Sequence, residues 1–423
     1  MINLVRYGFF SFPAAISLLI MQVYIPSYIA EMGVFSLTAI GLIFFVARLV
    51  DTISDLVIGY ASDKTPAEYG RRRLWILIGT PFFLIAFFFL LEVPTTISTL
   101  FMVAALWYIT GTCLIVPYYT WGAEIDEGYA AHTKYTGARV VFGMFGSLSA
   151  LALPAILMPG ASLKEILNFN FLLVFGCFIF AIALLAFVPD QGHVSTKRIR
   201  PLDIIKIFKK GSLFNQLIIS QLINGIANAL PATLFIFFCT YVLKRSDLAG
   251  PLLVVYFLSA TVSVPFWVKA ASVWPKERCW KIAMTIAACV FLGVLAVDEN
   301  SLTIFVTIII ITGLMAGADL CLPASMLADI IDLDTQVHGT RRPGIFFAVW
   351  GTTSKLTMAF AIVIAFSLLG IDVFEPESKA NLVNTKWLTL LYALLPSILK
   401  IISVAMLARY NLKPDEGLKK STD

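Results

Sequence analysis

Apolar stretches of roughly twenty residues recur along the whole of this chain, separated by short segments that hold most of its charge. An α-helix of that length spans about 30 Å, the thickness of the hydrocarbon core of a bilayer. No water is available inside that core to satisfy backbone N–H and C=O groups, so each stretch must close its own hydrogen bonds as a helix. Composition agrees: 59% of the 423 residues are hydrophobic and 13% are charged, against about 45–50% and about 25% in soluble domains. The fold class is therefore an all-α polytopic membrane protein.

Windows of about twenty apolar residues place helices at 9–31, 38–61, 74–93, 97–121, 138–159 and 168–188. Six more fall at 214–243, 250–272, 279–296, 301–330, 344–369 and 387–408. These give an N-terminal six-helix bundle over 1–190 and a basic linker over 191–213, within DQGHVSTKRIRPLDIIKIFKKGS. A C-terminal six-helix bundle then covers 214–410, and a tail 411–423. Six plus six helices imply two related halves around a midplane cavity, the plan of many secondary transporters. The first apolar stretch is followed by no small-residue cleavage site, so it reads as a retained helix.

Lysine and arginine set the orientation. With both termini cytoplasmic, Arg71, Arg72, Arg73, the linker and the tail share one side, and the other keeps only Lys164, Lys244, Arg245, Lys379 and Lys386. That asymmetry accounts for the net charge of +5 without any nucleic-acid partner. The six cysteines lie in or beside apolar segments, with no zinc-ligand or CxxC spacing, and read as small apolar side chains. His132, His193 and His338 fall in predicted loops without HxxxxD or HExxH spacing, and no Walker-type glycine loop occurs. A membrane-embedded enzyme and an ATP-driven pump are both disfavoured, and no cofactor is implied beyond a coupling ion.

Three charges interrupt the second span, VARLVDTISDLVIGYASDK. A charge at the bilayer centre costs about 2.5–3.5 kcal/mol on insertion scales, so such groups face the interior and find partners. Arg48, Asp51 and Asp55 are spaced by three and four and share one helical face. Two aligned carboxylates need positive charge to stay ionised. Arg48 answers one, and a sodium ion or a proton answers the other; an internal salt-bridge lock without an ion is the bland reading. Lys355, about ten residues into the eleventh span, also needs a carboxylate. Asp319 lies four residues before Pro323, which frees its carbonyl. Asp329 and Asp332, further along that helix, are expected to pair with Arg341 or Arg342.

RLVDTISDLVIGYASDK followed by GRRRLW resembles the helix-two signature of the glycoside–pentoside–hexuronide:cation symporters, the melibiose permease-like family of the major facilitator superfamily. The pattern RxxDxxxDxxxGxxxD then GR is met by Arg48, Asp51, Asp55, Gly59, Asp63, Gly70 and Arg71. VPYYTWGAEIDEGYAAHTKYTGAR and LADIIDLDTQVHGTRRPGIFFAVWGTTSK resemble two further family blocks, in the same order along the chain. The resemblance implies the major facilitator fold with 12 transmembrane helices. It also implies a cation site, with Na+ as one occupant, at Asp51 and Asp55, helped by Thr112 and Lys355. Ser54 stands where the family has an Asn, which leaves sodium and proton both open. A cytoplasmic gate is implied at Arg48, Gly59, Asp63, Arg71 and Arg72, to which we join Asp329, Asp332 and Arg341.

The sugar site fits less well. Two positions that carry Asp in the permease are Ala15 and Ile115 here, so a melibiose-like galactoside is not expected. Arg139, Tyr119, Trp121, Trp350 and Asp319 remain as candidate substrate contacts. An Arg beside an aromatic suits an anionic sugar such as a uronide. The apolar content, with Phe at 34 positions, suits an amphiphile such as a lysophospholipid. The expected function is a Na+- or H+-coupled secondary symporter that moves a sugar, glycoside or uronide by alternating access, with a lysophospholipid or other amphiphile as the alternative, acting as a monomer in the bacterial inner membrane. Its partners are a small organic solute, the coupling cation and membrane lipid.

Overall fold

Every regular element among the described residues is helical. The computed structural model describes residues 2–35, 37–66, 70–92, 96–126, 129–158, 161–189, 212–338, 342–369 and 385–410. Eleven helical stretches are long and apolar enough to cross a bilayer. The helix Leu37–Lys64, which carries the three charges, has 28 residues and a length of about 42 Å, enough for a twelfth span. The linker at 190–211, the segment 370–384 and the tail from 411 lie outside the described residues.

Local sequence explains three of the helix starts through side-chain caps. Thr96 and Thr99 form a reciprocal capping box before Ile97–Gly122, and Ser162 and Glu165 do so before Leu163–Leu185, satisfying backbone donors that have no intrahelical partner. Ser212 caps Leu213–Tyr241 by accepting the Asn215 N–H. The first span is segmented: Ile2–Gly8, Ser11–Leu19, a π-turn at Ile20–Tyr24, then Ile25–Glu31. Two helices run past their hydropathy windows, Tyr129–Leu157 at its start and Leu302–His338 at its end. A hydropathy window stops at the first run of charge, whereas the backbone ladder does not. At 37 residues the latter helix is about 55 Å long, well beyond the hydrocarbon core.

The chain divides into two compact units. One comprises Met1–Pro201 with Ile331–Gly351, the other Leu202–Ile330 with Thr352–Asp423. In the first, Ile97–Gly122 packs against both Leu37–Lys64 and Arg71–Leu91, while Ser11–Leu19 packs on Tyr129–Leu157 and Leu163–Leu185. Its core is aromatic: Phe10, Phe83, Tyr118 and Phe178 are buried and contact one another edge-on or tilted, arrangements that ring quadrupoles favour. In the second unit, Leu395–Met406 packs against Leu213–Tyr241 and Lys276–Phe291, over a core that includes Phe238, Phe305 and Tyr392.

Helix Leu37–Lys64 shows how burial sorts its residues. Ala47, Asp51, Ser54, Asp55, Ile58, Ser62 and Asp63 are buried, while Leu49, Ile53 and Val57 on the opposite face are exposed. The spacing is that of an amphipathic helix, with its polar stripe turned inward and its aliphatic stripe turned to lipid.

Candidate functional site

Asp51 and Asp55 lie one helical turn apart and are 3% and 2% exposed. Thr112, on the packed neighbour Ile97–Gly122, directs its hydroxyl at both: Oγ1 is 2.7 Å from Asp51 Oδ1 and 3.1 Å from Asp55 Oδ1. A hydroxyl has one proton and can donate to one carboxylate at a time. Ser54 spends its proton on the Asp51 backbone carbonyl at 2.8 Å, so its oxygen is left as an acceptor. Arg48 donates to Asp51 Oδ2 at 3.3 Å and rests over the Tyr108 ring, with its side chain 34% exposed. Two carboxylates this close stay ionised only beside positive charge, which Arg48 supplies to Asp51 and which a monovalent cation or a proton can supplement. A Cβ on Gly351 would lie 3.2 Å from Asp55 Oδ2, so the smallest residue stands where the carboxylate needs room. The donors are hard oxygens. Among the described residues no group of three or more His, Cys, Asp or Glu is placed to hold a metal ion, as a transition metal would need.

A second constellation surrounds Arg139, which is 8% exposed. Its guanidinium carbon lies 3.7 Å from the centroid of the Tyr119 ring, with Tyr7 and Tyr118 close by. Tyr7 donates to the Tyr118 carbonyl at 3.0 Å, and Tyr118 donates to the Tyr7 carbonyl at 2.8 Å, with the two rings stacked at 4.5 Å. Ser11 Oγ is 3.0 Å from the Tyr118 hydroxyl. The arginine thus lies against one π face in a neighbourhood of neutral tyrosines, and among the described residues no carboxylate pairs with it. Its fork is suited to an anionic oxygen supplied from outside.

Asp63 organises the third group. Arg72, fully buried, donates to Asp63 Oδ1 at 2.6 Å, to both Glu124 oxygens at 2.8 and 2.9 Å, and to Ser62 Oγ at 2.8 Å. Arg71 donates to the Asp63 and Ser62 carbonyls. The Asp63 carboxylate also accepts the backbone N–H of Gly344 at 2.9 Å and of Ile345 at 3.1 Å. It therefore caps the helix Pro343–Leu369, whose first residue has no N–H to offer. Gly59 permits the approach: a Cβ there would stand 2.6 Å from the Gly344 carbonyl oxygen.

Other sequence candidates fall elsewhere. Trp121 is fully buried, donates to the Pro189 carbonyl at 3.1 Å and lies under Arg73, within the packing of the first unit. Trp350 is buried in that unit, and Lys355 is half-buried in the second. Asp332 lies 3.4 Å from His132, and Arg342 is bound by Asp334 at 2.9 Å. Arg341 is outside the described residues. Asp329 pairs with Lys276 at 2.7 Å, a partner not foreseen. Asp319 is surrounded by Trp280, Asn228 and Lys400. Lys400 was missed, although an ionisable residue in the middle of PSILKIISV carries the same signal that singled out Lys355.

A family model described as MFS/sugar transport protein matches residues 6–414. The sodium-dependent lysophosphatidylcholine symporter 1 of Gallus gallus is 24% identical over 78% of this chain and 71% of its own length. The uncharacterized symporter YnaJ of Bacillus subtilis is 22% identical over 97% of this chain and 92% of its own. Among solved structures, the E. coli fucose:proton symporter FucP superposes with a TM-score of 0.67 at 11% identity, over 96% of this chain and 98% of that one. At that identity the likeness speaks for the fold alone.

Proposed function

The chain belongs to the MFS/sugar transport protein family, and from that premise we propose that it is a cation-coupled symporter of an organic solute that carries an anionic group. The relatives and the fold are those of transporters, not enzymes. The observation that carries the coupling is the convergence of two buried carboxylates, Asp51 and Asp55, on the single Thr112 hydroxyl. Sodium is the favoured occupant, because the donors are carboxylate and hydroxyl oxygens and several relatives bear the description sodium-dependent. Lys355 is retained as a movable positive charge in the same cycle. Cation and solute each raise the affinity for the other by the same factor.

Arg139 in its tyrosine setting is the anchor for the solute's anionic group. Ala15 and Ile115, apolar where a galactoside site needs carboxylates, argue against a melibiose-like sugar. The first reading of the solute is a lysophospholipid-like amphiphile with Arg139 on its phosphate, supported by relatives described as a lysophosphatidylcholine symporter and a sphingosine-1-phosphate transporter. A uronide is the second reading, favoured by the stacked Arg139–Tyr119 pair, which offers a fork for a carboxylate beside a ring face. The basic ends of the helices are assigned to the cytoplasm, and the cell membrane of a bacterium is the proposed location.

The test is uptake into proteoliposomes under an imposed sodium gradient, with a radiolabelled lysophospholipid and a uronide as separate probes. Sodium-driven accumulation of either supports symport and selects the solute. Uptake of both that ignores the gradient would sink the coupling.

A further inference from the structure

The second unit holds a carboxylate–ammonium pair that the coupling scheme above does not use. Asp319, on helix Leu302–His338, and Lys400, on helix Leu395–Met406, meet at 3.0 Å with 9% and 11% of their side chains exposed. Lys400 Nζ also donates to Asn224 Oδ1 at 3.0 Å. Trp280 Nε1 donates to Asp319 Oδ1 at 2.6 Å, and Asn228 Nδ2 to Oδ2 at 3.1 Å. The ammonium thus rests on a carboxylate oxygen and an amide oxygen, while two neutral donors from two other helices only aim the carboxylate.

The same unit contains an ordinary locked pair for contrast. Lys276 Nζ reaches both oxygens of Asp329, at 2.9 and 2.7 Å, with 1% and 5% exposure. Lys400 instead touches one carboxylate oxygen, divides itself between two ligands, and keeps a third proton without an acceptor among the described residues. Oxygen ligands of this kind are those a small hard cation takes, and a carboxylate in a membrane span needs such a charge. Tyr256 and Cys321 lie near Asp319 and in their ordinary ranges are neutral near pH 7, and Lys400 is the cation paired with it. The positive charge at Asp319 therefore comes from Lys400.

We propose that Lys400 is a tethered cation, its ammonium filling a monovalent-cation site built by Asp319 and Asn224. The Asp319–Lys400 site is then electroneutral without an ion from solution, and an external cation acts only at the acid pair of the first unit. That last clause rests on the proposed role of Asp51 and Asp55; the site around Lys400 does not.

The experiment follows the thermal unfolding of the purified full-length protein, with choline chloride exchanged for sodium, lithium or methylammonium chloride at constant ionic strength. It is done on the Asp55→Asn background, so that the first unit is silent and only the Asp319 site is read. Asp55→Asn alone should ignore all these salts; a sodium response that survives there refutes the acid-pair proposal, and the Lys400 result is then read as the difference. Asp55→Asn/Lys400→Ala should gain a saturable rise in Tm of about 2–4 °C with sodium or methylammonium. Adding Asp319→Asn should remove the gain, and Lys400→Arg in place of alanine should never show it. A monodisperse Lys400→Ala variant that answers only to pH, or to nothing, overturns the proposal, as does a gain that persists without Asp319. Where Lys400→Ala is recovered only as aggregate, extraction in methylammonium chloride decides. Rescue by methylammonium and not by choline supports the tethered cation, and failure in both overturns it.

Discussion

Asp63 Oδ1 accepts the backbone N–H of Gly344 at 2.9 Å, across 281 residues of sequence. The same oxygen accepts from Arg72 at 2.6 Å. One carboxylate thus ties together the end of the second span, the start of the third and the start of the eleventh. Under the proposed cycle this is the bond to break whenever Pro343–Leu369 leaves Leu37–Lys64.

Asp63→Asn should weaken that tie from both sides, since the amide offers Arg72 no charge and turns a donor toward the helix start. Losing one partner of a buried ion pair costs about 3–5 kcal/mol. The expected result is a lower Tm together with a population shifted toward the conformation open at that end. Accessibility of a cysteine placed at Ala348 to a membrane-impermeant maleimide reads the shift; unchanged labelling would leave Asp63 as scaffold.

Asp55→Asn should abolish sodium stabilisation. With sodium at about a hundred times its Kd, a one-site protein gains about 2.7 kcal/mol, which the variant should lack while staying folded. Undiminished stabilisation by sodium would remove Asp55 from the cation site.

Thr112→Val keeps the side-chain shape and deletes the hydroxyl shared by the two acids. A hydrogen bond to a charged group is worth about 1.5–3 kcal/mol, so sodium affinity should fall about tenfold or more. Titration of Tm against sodium gives the ratio, and an unaltered midpoint contradicts the shared-hydroxyl geometry.

Arg139→Lys retains the charge and loses the planar fork and the stack on Tyr119. Solute affinity should drop by about 10- to 100-fold with the sodium midpoint unmoved. Equal losses in both would mean that Arg139 supports the cation site or the bundle instead.

How much of this was legible follows from what each signal depends on. Span number and fold class depend on long apolar runs, and the twelve predicted windows find their helices. Asp51 and Asp55 were named because charge in lipid is rare enough to mark itself, Thr112 only through the family resemblance, and the structure brings the three within hydrogen-bond reach. Partners were harder to read, because pairing is set by packing. Lys400 meets Asp319 across 81 residues and Lys276 meets Asp329 across 53, distances over which periodicity carries no information. Trp121 shows a different limit: an aromatic beside a basic loop looks alike in sequence whether it faces lipid, solute or core.

The backbone contact between Gly59 and Gly344 has a consequence for hydration. With no side chain on either glycine, the two helices meet backbone to backbone, flanked by the Ala348 methyl and the Asp63 carboxylate, and a small parting would open a narrow gap between the backbones. Such a void forfeits dispersion attraction on both walls while being too narrow to admit a water molecule. Intermediate separations are therefore the least favourable ones, and the seam passes from dry to wet in one step, so leakage through a half-parted seam is suppressed by geometry alone.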